Sequence, residues 1–557
     1  MINTRPPDVR LSYICSRGPA AFFTFIASLT VNTSVGVMNN PRIQFQGSLS
    51  TSDPRKCPVI IVGQLGHLAG LAFSDVAPKL QPRVDEEAWT LSVNSLQPSP
   101  TDYCSLYLNL ATVAALPVKC SRHNTPSRTH SATKLIKTHS TGGQECIVLV
   151  CERVDLLATA CGVARAYPTY SRKTASAAPQ DHTITVEVIL VGKGDAPLND
   201  EDIKVLNDAV YSVRLAARIV DTPANEMHTD AFIEEVKGVG QTLGIKPMII
   251  KGEELRTKGF GGLYGVGKAA IHPPALVVLS HSPAGATESS AWVGKGIVYD
   301  TGGLSIKTKT SMPGMKRDCG GAAAILGAFH LAVRAGYNQN LHAVFCLAEN
   351  AVGPTATKPD DIHTLYSGRT VEINNTDAEG RLVLSDGVAY AAKDLHCSTI
   401  LDMATLTGAQ GTATGKFHGA VVTNSREWEE ASVVAGRSSG DLLHPLPFTP
   451  ELHFAEFASA VADMKNSVAD RSNATSSCAG LFIAAHLGFD FPGNWIHIDM
   501  AYPVHCGERA TGYGVGLLPT LFGHHSQSRI FRNLAPISAE NGDCENDCKA
   551  TKKMRLS

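Results

Sequence analysis

Charge of one sign is scarce in this 557-residue chain: 49 Lys and Arg against 51 Asp and Glu leave a formal net charge of −2. That excludes a broad electrostatic footprint for nucleic acid or an anionic membrane, although it says nothing about a local charged site. Aromatics are few, at 6%. No apolar run reaches the ~20 residues that cross a bilayer; Ala20–Val31 (AAFFTFIASLTV) falls well short. The 14 cysteines, from Cys15 to Cys548, lack the dense spacing of a disulfide framework. Many sit in apolar runs, as Cys346 does in HAVFCLAEN, which suits core thiols in a reducing, cytoplasmic setting. Cys544 and Cys548 have no second pair at zinc-finger spacing, so they read as tail thiols.

What is present is the composition of a globular α/β protein, 43% hydrophobic and with 49 glycines. Its length calls for two domains with accessory ends. Arg5, Arg10 and Arg17 ahead of the Ala20–Val31 run allow a targeting segment. The alternative, preferred here, is that residues 1–37 extend the coding region ahead of Met38, with 1–54 a disordered extension. Strand-like PVIIVG (58–63), CIVLVCE (146–152) and ITVEVILVG (184–192), with a helical pattern at Asp155–Tyr167, predict an N-terminal α/β domain over 55–199. Within it, the polar and basic Ser121–Gly143 reads as a solvated loop. Apolar positions at Ile203, Leu206, Val210, Val213 and Ala217 predict a linking helix within 200–225, stopped by Thr222-Pro223. A catalytic domain follows over 226–523. Its near-continuous apolar runs at 291–300, 341–350, 398–406 and 494–501 suit strands of a largely parallel central sheet covered by helices. The mixed-charge residues 524–557 read as a disordered tail.

Chemistry gathers at the C-terminal ends of these strands, where open α/β sheets place their sites. AWVGKGIVYD carries Lys295 in its interior and ends on Asp300. A lysine inside an apolar strand is costly unless it is paired or bound. Lys307 follows in LSIK, and Asp318 precedes the small-residue helix CGGAAAILGAF, where it would equally suit an N-cap. The second cluster, VEINNTDAEGRLVLSDG, puts Asp377 and Glu379 two apart in a tight turn and Arg381 at the following helix start. Arg381 offers a fork for an anion. Four carboxylates among buried strands repel one another unless cations neutralise them, and a set of four suits two ions of Zn, Mn, Mg or Co at ~3.5–4 Å. Neither cluster holds a histidine, which excludes an H-E-x-x-H zinc site, and no G-x-S-x-G elbow accompanies them. Gly262–Ala269 matches a phosphate loop until Ala269 replaces the required Ser or Thr, so it reads as a structural glycine turn.

At these clusters the sequence closely resembles the leucyl aminopeptidase family of dinuclear metallopeptidases. The octapeptide N-T-D-A-E-G-R-L stands intact at Asn375–Leu382, and VGKGIVYDTGGLSIK with MKRDCGGAAA carries each upstream functional position. The 59-residue step from Asp318 to Asp377 also agrees. The likeness covers about 200–523 well, with DTPANEM and ATLTGA, and extends more loosely over 55–195. AWVGKGIVYDTGGLSIK and SAVADMKNSVADR are most similar to the family's vertebrate probable aminopeptidase-like branch.

The resemblance implies removal of N-terminal residues from peptides through attack of a water bridging two divalent ions, Zn or Mn. Lys295, Asp300, Asp318 and Glu379 would hold the tighter ion; Asp300, Asp377 and Glu379 would hold the exchangeable one, which also receives the substrate's free amine. Lys307 would stabilise the oxyanion, and Arg381 would hold a bicarbonate acting as general base. Thr405, Leu406, Gly408 and Met315 match substrate-pocket positions; simple core packing is an equal reading for Met315. A homo-hexamer in the cytoplasm is implied; the balanced charge disfavours the nucleic-acid binding that some bacterial family members perform, and no membrane partner is expected. Tyr299, Thr301 and Cys319 depart from the residues more usual around the two aspartates, which unsettles a leucine preference and makes oxidation sensitivity at Cys319 one reading. The competing function is a binding or scaffold protein that keeps the fold and has lost turnover.

Overall fold

The computed structural model describes residues 41–174, 182–192 and 197–538. The Ala20–Val31 run and the Cys544–Cys548 pair lie outside them.

Two sheets organise the chain. The first has the order β1-β6-β5-β2-β4-β3, from β1 (Arg42–Gln46), β2 (Val59–Gln64), β3 (Asp102–Tyr107), β4 (Ala111–Leu116), β5 (Glu145–Cys151) and β6 (Thr183–Leu190). All neighbours are parallel except β3 and β4. Both faces are covered, as the unbroken apolar strands require. Ile60 and Val62 pack with the helices Thr129–His139 and Leu156–Ala166, while Val59 and Ile61 pack with Phe73–Leu80 and Glu86–Ser95.

The second sheet has the order β15-β14-β17-β13-β9-β10-β8-β7. Its strands are β7 (Met248–Lys251), β8 (Ala275–His281), β9 (Ser289–Asp300), β10 (Asn340–Asn350), β13 (Thr399–Ala404), β14 (Gly419–Thr423), β15 (Leu443–Pro445) and β17 (Asn494–Asp499). The centre, β17-β13-β9-β10, is parallel, whereas β7, β8 and the β14–β17 pair run antiparallel, so the expected parallel sheet is mixed at its flanks. Helices Asp200–Asp221 and Gly320–Arg334 cover one face; Gly380–Lys393 and Thr475–Leu487 cover the other. A small sheet of β11 (Ile362–Thr364), β12 (Thr370–Glu372) and β16 (Met464–Lys465) lies beside the second face.

The helix Asp200–Asp221 starts on Asn199, whose side chain accepts from the Asp202 N–H at 2.8 Å. It packs against Leu156–Ala166 on one side and Gly320–Arg334 on the other, within one continuous apolar cluster. Arg165 strengthens that junction through Asp441 (2.5 Å) and the Thr511 carbonyl (2.8 Å).

Four sequence expectations are corrected. Residues 41–54 are not disordered: β1 pairs with β6, and Phe45 is buried. Ser121–Gly143 is not all loop, since Thr129–His139 is a helix that buries Ala132, Leu135 and Ile136. The tail is folded to 538: Arg529–Leu534 is helical and buries Ile530, Phe531 and Leu534. Gly261–Gly267 is a helix rather than a turn. Its glycines serve close packing: a Cβ on Gly262 would lie 2.5 Å from the Leu382 carbonyl oxygen.

Candidate active site

The ends of β9, β10 and β13 in the parallel centre, with the turn that follows β12, deliver the site. Lys295 lies within β9 on the face covered by the helix Gly380–Lys393, and that helix passes so close that a Cβ on Gly380 would sit 2.6 Å from Lys295 Cε. The glycine of the Asn375–Leu382 octapeptide therefore makes room for the lysine. Asp300 ends β9, opposite Asn350 at the end of β10. Asp318 sits in the 3-10 turn Met315–Cys319 and caps no helix; its carboxylate faces Lys295 instead. Asp377 and Glu379 close the turn before Gly380–Lys393. Asn466 clamps that turn: its Oδ1 accepts from the Asn374 and Asn375 N–H groups (2.9 and 3.2 Å), and its Nδ2 donates to the Asn375 carbonyl (2.6 Å).

The side chains converge. Lys295 Nζ donates to Asp318 Oδ1 (2.8 Å) and the Thr405 carbonyl (3.0 Å) and is ion-paired with Glu379 Oε1 (2.9 Å). Lys307 Nζ lies 2.7 Å from Asp300 Oδ2 and 2.5 Å from Asp377 Oδ1. Asp300 Oδ1 also accepts from the Gly302 N–H and from Asn350 Nδ2, both at 2.8 Å. Lys295 and Glu379 are buried, whereas the Asp377 side chain is 34% exposed, so the site opens to solvent on the Asp377–Lys307 side.

The electrostatics are under-compensated. Burial opposes the charge on Lys295 and Lys307, yet the surrounding carboxylates hold both ammonium groups above their ordinary range. Two ammonium groups do not balance four carboxylates. Burial first, and the neighbouring Asp300 second, push Glu379 up to about 8. Burial likewise raises Asp318 and Asp377. Among the described residues, Glu379 Oε2 and Asp318 Oδ2 are buried without a hydrogen-bond partner. Carboxylate oxygens of Asp300, Asp377 and Glu379 lie within 4.8 Å of one another. Unpartnered, crowded, hard oxygen donors fit divalent cations. Arg381 is buried: its Nη1 donates to the Asn466 carbonyl at 3.1 Å, and its Nε has no partner among the described residues. Burial lowers it to about 10.

A second group among the described residues, His228, Asp230 and His272, also brings ligand atoms together. There the two imidazoles stack with 3.6 Å between centroids and 6° between planes, so their in-plane lone pairs run parallel rather than converging. Lys251 already neutralises Asp230.

Of the expected substrate-pocket residues, Thr405 is tied to the site, its hydroxyl donating to Asp318 Oδ1 at 2.8 Å. Leu406 is half-buried beside it, and Gly408, exposed, opens the helix Gly408–Thr414 with open space where a Cβ would stand. Met315, half-buried, opens the turn that ends in Asp318 and Cys319. Cys319 is buried, its thiol pushed up to about 12 by burial, which opposes the oxidation reading. Sequence reasoning missed Asn350, Asn466 and Asp499, whose parts follow from register alone.

The catalytic-domain profile of the cytosol aminopeptidase family matches residues 214–519. The chain belongs to that family. The profile of the M17 aminopeptidase N-terminal domain 2 matches 57–176 of this aminopeptidase-family chain. "Probable aminopeptidase NPEPL1" of Homo sapiens is 62% identical over 518 residues, 92% of this chain and 99% of that protein. "Leucine aminopeptidase 1" of Caenorhabditis elegans is 45% identical over 477 residues, 84% of this chain and 95% of that one. The solved structure of the C. elegans leucine aminopeptidase covers 88% of this chain and 100% of its own, at 42% identity and a TM-score of 0.83. Leucyl aminopeptidase from Trypanosoma brucei in complex with bestatin covers 86% of this chain and 94% of its own, at 34% identity and a TM-score of 0.76. The resemblance drawn from the octapeptide and the vertebrate branch is borne out.

Proposed function

We propose that this aminopeptidase-family member hydrolyses the first peptide bond of peptides with a free N-terminus, using two divalent ions. The observation that carries the proposal is the convergence of Asp300, Asp318, Asp377 and Glu379 on only two ammonium groups. Lys295, Asp300, Asp318 and Glu379 would hold the tighter ion, and Asp300, Asp377 and Glu379 the exchangeable one; as a ligand Lys295 would be the neutral amine, its ammonium proton given up as a dication takes the place of that charge beside the carboxylates. The donor set suits Zn or Mn. When bound, the ions supply Lewis-acid activation of water and recognition of the free amine.

The chain's own groups do the rest. Lys307, on the open side, would donate to the oxyanion that develops as water adds to the carbonyl carbon. Collapse breaks the C–N bond, and the leaving amine takes the proton that the attacking water gave up. Arg381, a buried guanidinium with an unpartnered Nε, suits a bicarbonate that accepts the proton from water. Thr405, Leu406, Gly408 and Met315 would line the pocket for the released residue. Assembly as a homo-hexamer in the cytoplasm, without nucleic-acid partners, completes the proposal; among the described residues no helix is long and apolar enough to cross a membrane.

Metal content separates the roles. Glu379→Ala is expected to lose both activity and metal, and Lys307→Ala to lose activity while keeping about two ions per chain. Equal metal loss in the two variants refutes this division.

A further inference from the structure

The segment Thr405–Thr407 joins β13 to the helix Gly408–Thr414 and, among the described residues, pairs with no strand. Two of its three main-chain donors go to one side chain instead. The N–H groups of Leu406 and Thr407 donate to Asp499 Oδ1 at 3.0 and 3.4 Å. Thr407 Oγ1 (2.6 Å) and Ser476 Oγ (3.0 Å) donate to Oδ2, and the Ala501 N–H (3.2 Å) donates to Oδ1. Asp499 ends β17 opposite Ala404, and it is fully buried. Each of these hydrogen-bond donors is neutral. A buried carboxylate held this way is an expensive means of satisfying a loop, so its effect at the neighbouring site matters.

That effect passes through one peptide plane. The Leu406 N–H and the Thr405 carbonyl belong to the same planar unit and point in opposite directions. Asp499 grips the N–H, and Lys295 Nζ donates to the carbonyl at 3.0 Å. The plane therefore cannot rotate without breaking a bond at one end. The Thr405 hydroxyl, fixed by the same backbone, donates to Asp318 Oδ1 at 2.8 Å. We infer that Asp499 is a positioning residue: through the Thr405–Leu406 peptide it orients Lys295 and Asp318, the pair on the tighter-ion side, and sets the loop against which substrate lies. It touches no reacting atom. The inference rests on the proposed two-ion site and deepens it.

The test measures ion affinity in the folded full-length chain by competition with a chromophoric chelator, using Zn and Mn as probes, for wild type, Asp499→Ala and Asp499→Asn. Outer partners of metal ligands typically alter affinity by about 10–100-fold. Asp499→Ala should weaken the tighter ion by roughly tenfold or more and leave the exchangeable one within about threefold. Asp499→Asn, whose carboxamide oxygen still accepts from both N–H groups, should recover most of the loss. A purely structural role would lower the melting temperature of both variants without separating the two ions. Folded variants with wild-type affinities overturn the inference. Should Asp499→Ala not fold, amide exchange in the wild type decides: Leu406 and Thr407 should exchange slowly and slow further on metal loading. Fast exchange, or exchange indifferent to metal, overturns it. A wild type that binds no ion at all counts against the two-ion reading, whereas two ions bound equally well in every folded variant counts against the role of Asp499 alone.

Discussion

Replacing Asn350 by aspartate keeps the side chain's shape and exchanges an amide nitrogen for an oxygen. In the native site that nitrogen donates to Asp300 Oδ1 at 2.8 Å and to the Thr376 carbonyl at 3.0 Å, and Asn350 is buried. Losing a hydrogen bond to a charged group costs about 1.5–3 kcal/mol, and leaving the buried Thr376 carbonyl unpaired costs about 1–3 kcal/mol. A new carboxylate against Asp300 adds repulsion, relieved only by protonation. Asn350→Asp should therefore destabilise the chelator-treated protein by about 3 kcal/mol or more at pH 8. Near pH 5 the new carboxyl regains a proton and can donate to Asp300, so the deficit should shrink. Urea denaturation at both pH values measures this. A loss below about 1 kcal/mol at pH 8, or the same loss at both pH values, refutes the role given to the Asp300–Asn350 contact.

Three further outcomes follow from particular contacts. Glu379, at about 8 in the folded chain against 4.5 ordinarily, keeps a proton that the unfolded chain has lost between those values. Metal-free stability should thus fall as pH rises from about 4.5 to 8, and Glu379→Gln should flatten that slope in urea titrations. Gly262→Ala would press a Cβ 2.5 Å from the Leu382 carbonyl oxygen, forcing Gly261–Gly267 off the helix that carries Arg381. A loss of about 1–3 kcal/mol should appear in thermal or urea melts. Phe531→Ala, in the folded tail, should cost about 3–5 kcal/mol, where a disordered tail would cost nothing.

The central strands were legible because burial on both faces leaves unbroken apolar text, against which Lys295 and Asp300 stand out. The turn Asn375–Gly380 was legible because two carboxylates, Asp377 and Glu379, stand two residues apart within it. Asn350, Asn466 and Asp499 were not: each is an ordinary polar residue, remote in sequence, that register alone brings to the site. The helix Thr129–His139 hid because only one narrow stripe of it is apolar. The tail hid for a similar reason, since Ile530, Phe531 and Leu534 make one apolar turn in polar text. Gly261–Gly267 misled in the opposite direction: its glycines mark close helix packing and not a bend.

The claim that this site removes N-terminal residues is tested most directly by paired substrates. The metal-loaded chain is assayed on aminoacyl amides and dipeptides with a free amine, and on the same compounds N-acetylated. Hydrolysis of the free-amine series alone, abolished by chelation and restored by Zn or Mn, is the predicted result. No turnover with Zn, Mn or Co at high protein concentration, or equal cleavage of the acetylated series, contradicts it.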